Sequence, residues 1–219
     1  MRYGVLPGLA LVVAALLVTW GPVATRVGAQ EKPTTALPQE SEEDKADRET
    51  RRVCAVSLCS TLHNHTPATG EVLCSVGKTW TKEVINKILA RGKVSWPWGD
   101  TRCAAEIKVD RATLIRAMKD PDYEAKFEKY ELRCRLDKEK EGTDVKVELQ
   151  PVVTFKQGKA VKANLNWGKI EAPTLAKSAL WSITTADNTF GVLQSIAVDD
   201  INEFVQTKCM EVKEAWQGK

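Results

Sequence analysis

The chain has 219 residues, with 32 basic against 29 acidic side chains, a net charge of +3 and 43% apolar residues. That balance excludes a global electrostatic pull toward nucleic acid or an anionic membrane, and the length fits one domain with a real core. Six cysteines beside only two histidines speak for structural disulfides in an oxidising compartment.

The first residues read as an export signal. Arg2 supplies a positive start, Val5 to Val18 is almost wholly apolar, and Val27-Gly28-Ala29 is a small-residue cleavage pattern, with a cut after Ala24 as the second choice. The apolar stretch is shorter than the ~20 residues a membrane helix needs, and no later stretch is apolar enough to span a bilayer. With residues 1–29 removed as a signal peptide, Arg2 and Arg26 leave with it, and 30 basic side chains face 29 acidic ones, a net charge of +1. Residues 30–51 are rich in Glu, Lys, Pro, Thr and Ser and poor in apolar side chains, which predicts a flexible charged leader. Residues 52–219 then form a single domain.

Cys54, Val56 and Leu58 share one parity, as do Val72, Cys74 and Val76 beyond the turn-rich run 63–70, which predicts a hairpin. Thr81 to Ala90 changes to helical spacing, with Val84, Ile85, Ile88 and Leu89 on one face and Gly92 as a stop. Lys93 to Trp98 and Cys103 to Val109 return to alternation around Gly99-Asp100, and a short helix is expected from Arg111 to Lys119 before Asp120-Pro121.

The strongest sheet signal follows. Tyr130, Leu132, Cys134 and Leu136 alternate with charged residues; Val145, Val147 and Leu149 do the same and continue through Val153 and Phe155. After the turn at residues 156–159, Val161, Ala163, Leu165 and Trp167 repeat the pattern. One dry face and one wet face predict an antiparallel meander covered on one side. Two helical stripes are available as cover. One holds Leu175, Ala179, Leu180 and Ile183; the other holds Ile201, Val205, Cys209, Val212 and Trp216, behind Asp199 or Asp200 as N-cap. The expected fold is α+β: a mostly antiparallel sheet of about six strands, with C-terminal helices packed on one face and disulfide staples. Hairpin register pairs Cys59 with Cys74. Cys134 on a strand and Cys209 on a covering helix would staple the layers, and Cys54 with Cys103 remains by elimination.

Catalytic and cofactor signatures are missing: the sequence holds no Gly-rich phosphate loop, no G-x-S-x-G, no H-E-x-x-H and no C-x-x-C. No cofactor is expected. His63-Asn64-His65 offers two imidazoles that could join a zinc or copper site, yet two ligands do not make one, and an exposed polar turn is the plainer reading; no metal site is assigned. Asn64-His65-Thr66 is also a glycosylation sequon.

Trp96-Pro97-Trp98 puts two indoles on one face of an edge strand, a flat pair able to stack on a ligand. Trp80 and Trp167, at predicted element ends, are candidates to line the same opening. The leading expectation is a non-enzymatic exported domain, periplasmic or secreted, that binds a small apolar ligand or a protein partner of the envelope. One alternative is a glycan-acting enzyme or accessory using carboxylates such as Asp100 or Glu106 near the tryptophan pair. Another is an inhibitory or structural protein whose loop from His63 to Gly70 inserts into its partner. Nucleic acid is not expected as a partner, and no oligomeric state is implied.

Overall fold

The computed structural model describes residues 42–137 and 142–218. The export signal, its cleavage site and residues 30–41 of the leader lie outside the described residues.

Helix α1 (Glu42–Cys59) opens the fold, and its first ten residues come from the stretch expected to be leader. Glu42, Glu43 and Asp44 favour the positive end of a helix dipole, and the pairs Glu42–Lys45 and Glu49–Arg52 sit one turn apart. The helix runs straight through the segment read as the first arm of a hairpin. A short apolar run cannot fix its own period: Cys54, Leu58 and Leu62 recur every four residues as readily as every two; the charged helix formers ahead of them favour the helix, and packing against β1 selects it. A π-helical turn at Ser60–Asn64 ends the element at His65, which adopts a left-handed conformation.

Strand β1 (Glu71–Trp80), helix α2 (Lys82–Leu89), strand β2 (Thr101–Asp110) and helix α3 (Arg111–Lys119) follow. Both helices start on side-chain caps: the Thr81 hydroxyl accepts from Val84 N–H and the Asp110 carboxylate from Thr113 N–H. Then come β3 (Asp122–Lys126), β4 (Tyr130–Leu136), β5 (Thr143–Leu149), β6 (Val152–Lys156), β7 (Lys159–Asn164) and β8 (Trp167–Glu171). Every pairing is antiparallel, as expected, but the eight strands among the described residues divide into a five-stranded sheet, ordered β1-β2-β4-β5-β8, and a three-stranded sheet, ordered β3-β6-β7.

The divide falls where the sequence reads as one continuous strand from Val145 to Phe155. Pro151 has no N–H to lend to a ladder, so the chain leaves the first sheet at Gln150, enters the second, and returns at Asn166. The two crossing points are tied together: Gln150 N–H donates to Leu165 O, and the Asn166 amide donates to Gln150 O at 2.9 Å. Asn166 sits at φ 45°, a conformation asparagine tolerates. A bulge between Thr154 and Phe155 also shifts the expected parity of β7. Ala160 and Ala163 face the core, while Val161 is 49% exposed.

Helices α4 (Thr174–Phe190), α5 (Val192–Glu203), a second π-helical turn (Phe204–Lys208), α6 (Cys209–Glu211) and α7 (Lys213–Trp216) complete the chain. The C-terminal helices provide the expected cover, reaching three separate cores in turn. Ala176 and Ile183 of α4 pack with Leu89, Leu136 and Val145; Ala197, Val198 and Ile201 of α5 pack on Val153, Phe155 and Ala163. Cys209 and Trp216 then close a core built from α1, β1, β2 and α3. Leu175, expected on the inner stripe of α4, instead faces outward. Asp199 and Asp200 lie inside α5, not at its start. The buried carboxylate of Asp187 caps that helix from α4, accepting from Leu193 N–H at 2.6 Å and Gln194 N–H at 3.2 Å.

All six cysteines are bonded, in pairings other than those expected: Cys54–Cys74, Cys59–Cys209 and Cys103–Cys134. The register argument for Cys59 with Cys74 fails because residues 53–62 are helical. Cys54 and Cys59, five residues apart on α1, point to different neighbours, β1 and α6. Cys134 does not reach Cys209 because β4 lies next to β2, which sets Cys134 directly across from Cys103. Among the described residues, no helix is long and apolar enough to cross a membrane.

Candidate functional site

Strand alternation gives the five-stranded sheet two unlike faces. Val72, Cys74, Val109, Leu136, Val145 and Val147 point inward and are buried. The opposite face is a ladder of ion pairs: Glu71–Lys108 at 2.7 Å, Glu131–Arg133 at 2.7 Å, Lys129–Glu148 at 3.2 Å and Lys146–Glu171 at 4.0 Å. Such exposed pairs contribute little stability. Their weight lies in the pattern they present to a partner. Leu73, 72% exposed, stands among them as an isolated apolar side chain.

Two open hollows adjoin on this face, sharing Ser75, Glu106, Lys129 and Tyr130 in their walls. One has a volume of about 260 Å³ and the other about 440 Å³. They exist because β2 and β4 part company. The two strands pair only from Thr101↔Leu136 to Ala104↔Arg133, whereas β2 continues to Asp110 alongside β1. Where the ladder stops, Tyr130 takes over: its hydroxyl donates to Lys108 O at 2.8 Å. Burial, reinforced by the nearby Glu128 carboxylate, pushes the Tyr130 phenol up to about 12, so it remains a donor at any physiological pH. The Arg133 hydrogen bond holds Glu131 below the ordinary carboxylate range, and the Glu71 hydrogen bond raises Lys108.

The residues singled out from sequence lie elsewhere. Trp96 and Trp98 are 6% and 4% exposed, and the segment that carries them is not a strand. It is pinned as a loop by Trp96 N–H to the Asn86 amide oxygen, Trp96 Nε1 to Gly99 O, and Gly99 N–H to Asp137 O. Their rings lie 4.8 Å apart, tilted at 57°, in the core beneath α2 and α4. An accessible tryptophan pair is thus corrected to a core pair with one indole N–H satisfied internally. Trp80 is half-buried at the end of β1, with the Lys78 ammonium 5.2 Å from its ring. Trp167 donates its indole N–H to Asp187 at 2.8 Å, a structural task far from the core pair in role. The four tryptophans do not line one opening.

His63 stacks on Trp216 at 4.9 Å and its Nε2 lies 3.1 Å from Val205 O, while the Asn64 amide donates to Trp216 O at 2.8 Å. The motif docks the C-terminus. No cluster of metal-ligating side chains occurs among the described residues. Asp100 caps α2 by accepting Lys82 N–H, and Glu106 lies six residues along an extended chain from it, roughly 20 Å by strand rise.

Sequence reasoning missed this face. Its residues read as the wet half of an alternating pattern, and nothing local announces that β2 and β4 separate. Comparison with protein-family models, with curated proteins and with solved structures gave no match.

Proposed function

We propose that the chain is an exported, non-enzymatic module that engages a protein partner across the outer face of its five-stranded sheet. The observation that carries this reading is the pair of adjoining open, charge-lined hollows on that face, the larger of them bordered by exposed Leu73. Three disulfides support an oxidising compartment outside the cytosol.

The small-ligand branch loses its support with the burial of Trp96 and Trp98. A hollow with an apolar lining, between α4, α5 and Leu89, has a volume of about 10 Å³, room for one water at most. The glycan-hydrolase alternative is disfavoured as well. Asp100 and Glu106 are farther apart than the ~5–10 Å that paired glycosidase carboxylates need, and Glu131 is shifted down where a general acid must be shifted up.

The test is site-specific photocrosslinking in the native compartment, with a benzophenone side chain at position 73 and, as control, at exposed Lys162 on the other sheet. The expected result is a single-mass adduct from position 73 that excess purified protein competes away. Adducts of equal yield from both positions, or none from 73, would remove the reading.

A further inference from the structure

We propose that the hollow between β2 and β4 receives an arginine side chain of the partner, with Glu106 as its counter-ion. This deepens the reading of the outer face as a partner-binding surface and rests on it.

The argument begins with register. Antiparallel strands keep a fixed pairing, so continuing the ladder from Ala104↔Arg133 would set Glu106 opposite Glu131. Like charges directly opposed in a sheet are unfavourable. The ladder ends instead, and the resulting gap of about 260 Å³ has a carboxylate on each wall. On the other side, β1 places Ser75 across from Glu106, a side chain too short and neutral to offset it.

The cations of the hollow are already engaged. Arg133 turns to Glu131 at 2.7 Å, and Lys129 turns away to Glu148 at 3.2 Å. Lys108, on the neighbouring hollow, lies between Glu71 at 2.7 Å and Glu128 at 3.7 Å. Glu106 is the lining carboxylate for which the described residues provide no ion pair; its field reaches Arg133 only at longer range. The guest that completes this arrangement is a cation.

The lining favours guanidinium. Tyr130, fixed by its bond to Lys108 O, is an aromatic member of the lining, and Ala104, Ala105 and Ser75 are its small ones. A planar cation stacks on such a ring and reaches a carboxylate at its edge; a compact, strongly hydrated ammonium does so less well. Strand alternation adds an acceptor. The geometry that turns the Lys108 carbonyl toward Tyr130 turns the Glu106 carbonyl, two residues away, toward the same gap.

The probe is N-acetyl-arginine methylamide, titrated into the purified disulfide-bonded chain and followed by amide chemical shifts. Its neutral isostere, N-acetyl-citrulline methylamide, serves as control. Shifts are expected at Ser75, Ala104, Ala105 and Glu131 with the arginine probe, weakened at least about fivefold with citrulline and in Glu106→Gln. Glu106→Gln is an exposed, isosteric change whose melting temperature should match the parent's. Equal binding of the citrulline probe, undiminished binding by Glu106→Gln, or shifts confined to other residues would each overturn the inference. If position 73 crosslinks the partner and the arginine probe fails, the partner surface stands and the arginine assignment falls. If both fail, both are lost.

Discussion

The core under α1 and the core of the three-stranded sheet are held by different means. The first joins the two ends of the described chain: α1 and β1 at one end, Cys209 and Trp216 at the other, with Cys54–Cys74 and Cys59–Cys209 running through it. The second lies inside the span between those ends, built from β3 and the β6–β7 hairpin with β4 and β5 diverted to the other sheet between them, closed by α3 and α5, and contains no cysteine. Contacts between distant segments carry a larger loop-closure cost, and Cys59–Cys209 offsets it where the two ends meet. The second core instead relies on close packing of Ala117, Ala125, Ala160 and Ala163 around Phe155.

This contrast breaks most visibly at Cys59–Cys209, which spans 150 residues. Replacing both cysteines with alanine should cost roughly 5 kcal/mol in the chain-entropy model, against roughly 4 for Cys103–Cys134 and 3 for Cys54–Cys74. Guanidinium unfolding midpoints of the three double variants would give the order. A Cys59–Cys209 variant that lost no more than the other two would show that the distant ends are held by packing alone.

The next effect belongs to the second core. Phe155→Ala should destabilise by about 3–5 kcal/mol, since the ring is 4% exposed in a small-residue surround that cannot collapse onto it. Hydrogen exchange should localise the loss to β3, β6, β7 and α5. Equal loss of protection in α1 would mean that the two cores open as one.

A smaller effect is expected at the edge of β7. Asn202 on α5 donates to Ala160 O at 2.8 Å and accepts from Ala160 N–H at 2.9 Å, standing in for the strand that is not there. Asn202→Leu leaves both peptide groups unpaired and should cost about 1–3 kcal/mol, with faster exchange at Ala160 as the direct readout. Unchanged exchange there would assign the edge protection to α5 as a whole.

The smallest effect is a pH dependence in the stapled core. Burial, then Lys119 and His63, lower the His65 pKa from 6.5. A histidine with a depressed folded pKa supports the fold fully above 6.5; as pH falls from there through the folded value, the unfolded chain takes up the proton more readily and stability declines. His65→Asn, which tolerates the left-handed backbone at this position, should flatten melting temperature between pH 7 and 5 relative to the parent. A parallel pH profile in the variant would place the titration elsewhere.

Much of the fold could be read from residue types. Alternation located β4 and β5, helical spacing located α2 and α3, and the inner stripe from Ile201 to Trp216 packs as expected. What escaped depends on tertiary choice. The run around Cys54 fits two periods, and packing selected the helix. The run through Pro151 reads as one strand because both sides of it are apolar on alternate positions, though Val145 and Val153 face different cores. Trp96 and Trp98 sit either side of a proline, a pattern shared by edge strands and pinned loops, and the Asn86 and Asp137 contacts that choose between them are distant in sequence. The site depends on a ladder that stops, and an ending of that kind leaves no local mark. Glu106 reads in sequence as a carboxylate near the tryptophan pair; in the fold it lines the hollow on the outer face, which no tryptophan borders.

The Cys59–Cys209 bond also sets a timetable for biogenesis. A chain synthesised from its N-terminus presents Cys54, Cys59 and Cys74 long before Cys209 and Trp216 arrive. Until then His63 has no indole to stack on, Cys59 has no proper partner, and two other thiols lie within reach in sequence. Premature oxidation in that interval joins the wrong sulfurs, and thiolate attack on the mispaired bond must undo it. The native set of bonds is therefore complete only once Cys209 is available, and a thiol-disulfide isomerase would shorten the wait.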